Sequence, residues 1–293
     1  MTQTIGLIGL GLMGQGFAAR LKETGHRVVG FDVDAAQIAR TKANGVESAA
    51  SPAEVASQTD VVLVSVINTA AVEHVVSGPN GVVTAGRLDG KVLVDHSTTQ
   101  IKATKAQAEI LASRTGMAFI DAPVSGGPEA ARAGTLAIMA GGEEAAIRKV
   151  TPVMEKLGTF THMGGIGAGQ ATKLVNQTLV LTNYCVIAEA VRLAQAYGVD
   201  AKKIPGALAA GYAGSNLLPV ALARMVDEDF VPRGYARQVL KDLEMLQEAA
   251  HEHHLAMPMS SQALTLFRML VAAGKSELDG TAVISLIPKP RSS

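Results

Sequence analysis

The chain has no tryptophan, a single cysteine and no surplus of either charge, and each shortage removes a class of function. Aromatic residues make up 3% of its 293 residues, too few for a platform on which bases or sugars stack. Lys plus Arg number 26, as do Asp plus Glu, so no net charge draws the protein to nucleic acid or an anionic membrane. Neither is expected as a partner. Cys185, the only cysteine, excludes an intrachain disulfide and suits a reducing compartment. It lies in the apolar stretch Leu181 to Ala190, where a small buried side chain is expected rather than a reactive thiol. The N-terminus has neither a basic segment nor a long apolar one before its first turn, which argues against a cleaved signal peptide. No uninterrupted apolar run approaches the ~20 residues that span a bilayer. A soluble cytoplasmic protein is the expectation.

What the chain does have is aliphatic surface: 48% of residues are apolar and 18% charged, enough for a sizeable core. The length suits one large domain or two modest ones. In the first half, short β-branched runs alternate with longer amphipathic ones, the pattern of βαβ units. Ile5 to Ile8, Val28 to Phe31, Val61 to Val66 and Val92 to Val94 read as buried strands, with a helix from Met13 to Thr24. Near-continuous apolar runs suit parallel strands covered on both faces. Ala118 to Ile120 and Leu136 to Met139 read as further strands, followed by a helix from about Glu143 to Leu157. After Gly169 the pattern changes. Gln170 to about Tyr197 holds no Pro or Gly and predicts one long helix, and further helices follow between glycines and prolines. The expected architecture is α/β with a mostly parallel doubly wound sheet over residues 1–164. An all-helical domain follows over residues 165–293, joined by the long helix. The tail Pro288 to Ser293 is expected to be loose.

Gly9-Leu10-Gly11-Leu12-Met13-Gly14 supplies G-x-G-x-x-G directly after the first strand and at the opening of a helix. In that context Gly9 makes the tight turn, Gly11 lets backbone approach a pyrophosphate and Gly14 lets helix pack on strand. The helix N-terminus, with Leu12 and Met13 in its first turn, offers free N–H groups to phosphates. The domain is therefore expected to be a Rossmann domain. Asp32, ending the second strand, is placed to accept hydrogen bonds from the adenosine ribose and to repel a 2′-phosphate. Arg27 and Arg40 are not obvious phosphate clamps, so NAD is expected over NADP.

Three further segments complete a constellation. Asp121-Ala122-Pro123-Val124-Ser125-Gly126-Gly127 ends a strand, Gly167-Ala168-Gly169-Gln170-Ala171-Thr172-Lys173-Leu174-Val175-Asn176 opens the long helix, and Lys241-Asp242-Leu243 lies among the later helices. Lys173 and Asn176 are spaced i, i+3 and share a helix face, beginning where a cleft between domains is expected. Moving a hydride off an alcohol needs a base for the hydroxyl proton, and a partly desolvated lysine has its pKa lowered toward that task. Asn176 can hold the substrate oxygen. Ser125, Gly126 and Gly127 offer a hydroxyl and backbone N–H groups to a carboxylate.

Together these segments, in order over essentially the whole chain, resemble the β-hydroxyacid dehydrogenases. The resemblance implies Lys173 as general acid and base, Asn176 beside it, and Ser125, Gly126 and Gly127 on a small carboxylate substrate. It also implies that Ser97-Thr98 faces the nicotinamide ribose, that Val66, Ile67 and Asn68 line the cofactor, and that Lys241 approaches the substrate acid group or the cofactor. A homodimer or homotetramer follows from the same resemblance, with Leu179 to Ile187 and Leu264 to Val271 as burying surfaces. Many relatives carry a phenylalanine seven residues before the Lys-Asp lysine; here Gly234 stands there, with Tyr235 beside it. Arg237 reads either as a second cation for a doubly acidic substrate or as an exposed surface arginine, and Ser215 either as a helix cap or, with Asn216, as a candidate for substrate hydroxyls. His96 is a weaker rival to Lys173 as the acid. His251, His253 and His254 do not match H-E-x-x-H, and no metal is expected. The alternatives are an NADPH-linked glyoxylate or succinic semialdehyde reductase, against which Asp32 speaks, and an imine reductase, against which Lys173 speaks. A non-catalytic nucleotide-binding module is the remaining one, and the presence of both Lys173 and Asn176 argues against it.

Overall fold

The computed structural model describes residues 3–290, and the chain divides into two compact units, residues 1–173 and 174–293. That division falls nine residues beyond the expected boundary at 164/165, inside the helix Ala168–Ala196.

The first unit contains the strands β1 (Thr4–Ile8), β2 (Arg27–Phe31), β3 (Glu47–Ser48), β4 (Val61–Val64), β5 (Val92–Asp95), β6 (Ala118–Asp121), β7 (Val124–Ser125), β8 (Leu136–Gly142) and β9 (Gly158–Gly164). Its helices are α1 (Leu12–Glu23), α2 (Ala35–Ala43), α3 (Pro52–Gln58), α4 (Thr69–Ser77), α5 (Ile101–Thr115), α6 (Gly127–Ala133) and α7 (Glu144–Leu157). The strands form one sheet in the order β3-β2-β1-β4-β5-β6-β8-β7, with β9 beside β8. Neighbours from β3 to β6 are parallel, as the apolar runs of β4 and β5 require: both are buried along their whole length. β8 reverses direction and pairs antiparallel with β6 and β7. Two apolar clusters cover the sheet, one gathering Leu7, Phe17, Leu63, Val94 and Ile138, the other Ile8, Val62, Val76, Leu93 and Leu111. Local chemistry sets the helix ends. Asp34 caps α2 through Ala36 N–H, Ser51 caps α3 through Glu54 N–H with Pro52 in its first turn, and α5 stops at Gly116 in the left-handed region.

Helix α8 (Ala168–Ala196) runs out of the first unit and supplies the second. The second unit also contains α9 (Ile204–Leu208), α10 (Leu217–Asp227), α11 (Ala236–Glu252) and α12 (Pro258–Ala272), closed by a short 3-10 turn from Gly280 to Leu286. It has its own core, in which Ala188, Val191, Leu222, Leu243, Phe267 and Val283 are almost completely enclosed. Cys185 is buried there, and burial pushes its thiol up to about 12, leaving it an inert thiol. Arg224 Nη1 meets Asp279 Oδ1 at 2.9 Å, with both side chains buried. Helix α8 has the length and mean hydropathy, 1.2 over 18 residues, of a bilayer-crossing helix. Lys173, Asn176, Gln177 and Asn183 interrupt its apolar run. Val175, Leu179, Val186 and Leu193 form an exposed apolar stripe along it.

Candidate active site

Register places the site. Ile8, Val64, Asp95 and Asp121 are paired one to the next across β1, β4, β5 and β6, so these four strands end in a single row. The segments that leave this row carry Gly9 to Gly14, Val66 to Asn68, Ser97-Thr98 and Ala122 to Gly127. Ligands of open α/β sheets bind outside the carboxyl ends of the strands, where the order reverses, here between β1 and β4.

The glycine loop is built for an occupant outside the protein. A Cβ on Gly14 would lie 2.0 Å from Gly9 O, so close packing within the chain itself demands that glycine. Gly11 is different: a Cβ there meets nothing within 4 Å, and its backbone (φ −66°, ψ −162°) suits any residue. The space beside it fits the approach of a pyrophosphate. No side chain caps the α1 N-terminus and its first turn holds no acidic residue, which leaves N–H groups for phosphate oxygens. Leu12 is exposed and Met13 half-buried at this end. Asp32 is tied to the same loop, its Oδ2 accepting Leu10 N–H at 2.6 Å while Oδ1 accepts Asp34 N–H at 2.8 Å. These residues fit a dinucleotide.

Further along the row, Val66 N–H donates to Ser97 Oγ at 3.0 Å, and Asn68 caps α4 by accepting Ala71 N–H at 2.9 Å. Thr98 stands between Ser97 and Thr99, which are both buried. Ser125 ends the two-residue strand β7, and Gly126 and Gly127 turn into α6 at φ 129° and 74°, values that favour glycine.

Lys173 is buried at 7% exposure, and its Nζ donates to Val124 O at 2.8 Å, next to Ser125. Asp121 holds the start of its helix. Its Oδ1 accepts Gly167 N–H at 2.7 Å and its Oδ2 accepts Gln170 N–H at 2.8 Å. Burial raises the Asp121 pKa to about 6, although these backbone bonds pull the other way. Sequence reasoning quoted Asp121 and Gln170 inside motifs without giving either a role.

In the helical unit a polar chain runs from Asn176 to Lys241. Asn176 Nδ2 donates to Gln177 Oε1 at 2.8 Å, Gln177 Nε2 donates to Asp242 Oδ2, and Lys241 Nζ lies 3.0 Å from Asp242 Oδ1. Gln177, four residues after Lys173, went unremarked; its signal is a polar side chain on the buried side of an apolar helix.

Other candidates stand elsewhere. Arg237 pairs with Glu277 at 2.8 Å and lies 4.4 Å over the Tyr235 ring, so its cation is already engaged at the surface. Ser215 Oγ accepts Leu218 N–H at 3.1 Å, the helix-capping role. His251, His253 and His254 are exposed. His96 is buried against Phe17 and donates Nδ1–H to Ala122 O at 2.7 Å; burial lowers it to about 4, so it is neutral at pH 7.

Comparison with known proteins agrees with this layout. A family profile of the NAD binding domain of 6-phosphogluconate dehydrogenase matches residues 4–203. A second, the NAD-binding domain of NADP-dependent 3-hydroxyisobutyrate dehydrogenase, matches residues 167–287. The chain is 36% identical to 2-hydroxy-3-oxopropionate reductase of Escherichia coli, covering 97% of this chain and 96% of that protein. It is 34% identical to 2-(hydroxymethyl)glutarate dehydrogenase of Eubacterium barkeri, covering 96% and 94%. Among solved structures, 3-hydroxyisobutyrate dehydrogenase of Mycobacterium tuberculosis, titled with L-serine, is 30% identical over 100% of both chains, with a TM-score of 0.84. The chain belongs to the β-hydroxyacid dehydrogenase family. Its activity class is that of an NAD(P)-dependent hydroxyacid dehydrogenase of the 3-hydroxyisobutyrate and 2-hydroxy-3-oxopropionate type.

Proposed function

We propose that the protein interconverts a short 3-hydroxy acid and its semialdehyde with NAD, and that Lys173 carries the proton. The nicotinamide cofactor, when bound, supplies or takes the hydride. Lys173 Nζ receives the hydroxyl proton in oxidation and returns it in reduction. The observation that carries this reading is the burial of Lys173 with its Nζ on Val124 O, beside Ser125. Ser125, Gly126 and Gly127 grip the carboxylate. From the helical unit, Asn176 holds the reacting oxygen and Lys241 attends the acid group or the cofactor. Asp32 favours NAD: its carboxylate, already aligned by Leu10 N–H, accepts from ribose hydroxyls and repels a 2′-phosphate.

We further propose that two or four copies assemble, covering the α8 stripe, and that the protein works in the cytoplasm on a small carboxylate, without nucleic acid or membrane. Relatives from Arabidopsis and Dictyostelium are named mitochondrial.

The test is NADH formation by the purified protein with 3-hydroxyisobutyrate, glycerate, threonate, 3-hydroxypropionate and 4-hydroxybutyrate, each repeated with NADP. L-serine joins the set because of the Mycobacterium structure. Turnover with NAD that vanishes in Lys173→Ala supports the reading. Turnover with NADP alone overturns the Asp32 argument, and full turnover in Lys173→Ala overturns the proton assignment.

A further inference from the structure

The side chain of Gln170 is almost completely enclosed, at 1% exposure, and both arms of its amide are used on one stretch of backbone. Nε2 donates to Ser97 O at 2.8 Å, and Oε1 accepts Thr99 N–H at 3.1 Å. The amide thus clamps the residues on either side of Thr98, as a neighbouring strand would. Of the side chains that fit this space, an amide alone offers a donor and an acceptor at that spacing. The Gln170 backbone N–H is meanwhile held by Asp121 Oδ2, and Lys173 follows one helical turn later. At the far end of the clamped loop, Ser97 Oγ accepts Val66 N–H. One chain of hydrogen bonds therefore runs from the end of β4, through the loop after β5, to the first turn of α8.

We propose that Gln170 is a positioning residue that sets Lys173 in register with the Val66 and Ser97-Thr98 edge of the dinucleotide site, so that the proton carrier and the hydride-bearing ring are aligned together. This rests on the assignment of the proton to Lys173. Ion pairing plays no part in the clamp. Beside it, Asp121 Oδ2 accepts the Gln170 backbone N–H and Asp95 Oδ1 accepts Ser97 N–H at 2.9 Å.

The test is Gln170→Met, which fills the same space without bridging. Expected is a kcat lowered about a hundredfold by misplacement, with NADH affinity by fluorescence titration kept within about threefold. A folded variant with unchanged kcat, or one losing kcat and NADH affinity by the same factor, overturns the proposal. Amide exchange of the wild-type protein provides a readout that needs neither a folded variant nor activity. Thr99 N–H is expected to be protected to the same degree as the first-turn amide of Gln170. Free exchange at Thr99 overturns the clamp whether or not Gln170→Met folds. If Lys173→Ala keeps full turnover while Thr99 stays protected, the proton assignment has failed and the clamp survives as architecture without its catalytic purpose.

Discussion

Asp121 and Asp279, a buried aspartate from each unit, have their acidities shifted in opposite directions. Asp121, in the sheet unit, is met by backbone N–H groups alone, and burial raises its pKa to about 6. Asp279, in the helical unit, is also pushed up by burial. There the N–H groups of Arg233 and Thr281 and the Arg224 guanidinium outweigh it and hold the carboxyl below its ordinary range. Both sites are rich in backbone hydrogen bonds; Asp279 adds side-chain bonds from Arg224, at 2.9 Å, and from Thr281. Asp279 is a staple: it gathers the Arg233-Gly234 backbone, Thr281 and Arg224 into one knot. Asp121 holds the start of the helix that carries Lys173.

The largest expected effect lies on the Asp121 side, in the lysine that its helix presents. Lys173→Ala should lower kcat by about a thousandfold, in the range of general acid–base contributions, read in steady-state NADH formation. A melting curve of the same variant checks that it is folded, since truncation leaves the Val124 carbonyl without this donor.

Next comes the knot. Arg224→Met leaves the Asp279 charge buried without a counter-ion and should cost about 3 kcal/mol or more in urea unfolding. A smaller loss, with Asp279 still ionised, would erase the contrast between the two aspartates.

The pH dependences sharpen the comparison. A carboxyl whose pKa is raised in the fold contributes stability that is complete below its unfolded value and lost as pH climbs through about 6. Wild type should therefore gain on Asp121→Asn by about 1 kcal/mol between pH 7 and pH 5. Asp279 runs the other way: its contribution is present above the ordinary carboxyl range and is lost as pH falls through its lowered value. Denaturant midpoints of wild type, Asp121→Asn and Asp279→Asn at the two pH values separate these slopes. Parallel slopes would sink the distinction.

The smallest effect belongs to Arg237. Its ion pair with Glu277 is exposed on both sides, so Arg237→Ala should shift stability by less than about 1 kcal/mol. Turnover of mono- and dicarboxylates should stay the same, and selective loss of dicarboxylate turnover would restore Arg237 as a substrate cation.

Apolar periodicity made the parallel sheet readable: β1, β2, β4, β5 and β6 all lie within two residues of their expected bounds. β3 and β7, of two residues each, carry no apolar run and could not be found that way. The reversal of β8 was equally silent, since a buried strand has the same composition in either direction. The expected Val61–Val66 strand stops at Val64 because the next N–H groups turn to Ile8 O and Ser97 Oγ. Among the candidate site residues, the glycines and the lysine stood out because their motifs are short stretches of consecutive sequence. Asp121 and Gln170 did not, because their partners lie 46 or more residues away in the chain. Only the fold shows what such a residue holds.

Gly14 and Gly11 look alike in the motif but answer to different masters. Placing alanine at Gly14 collides with Gly9 O before any nucleotide arrives, whereas at Gly11 it enters open space and an ordinary backbone conformation. A library of variants ranked by resistance to proteolysis would purge Gly14→Ala and retain Gly11→Ala, whose stiffer unfolded chain even favours the native state. The same library ranked by growth on the enzyme's substrate would purge both. The gap between those two rankings marks where inheritance guards the ligand instead of the fold.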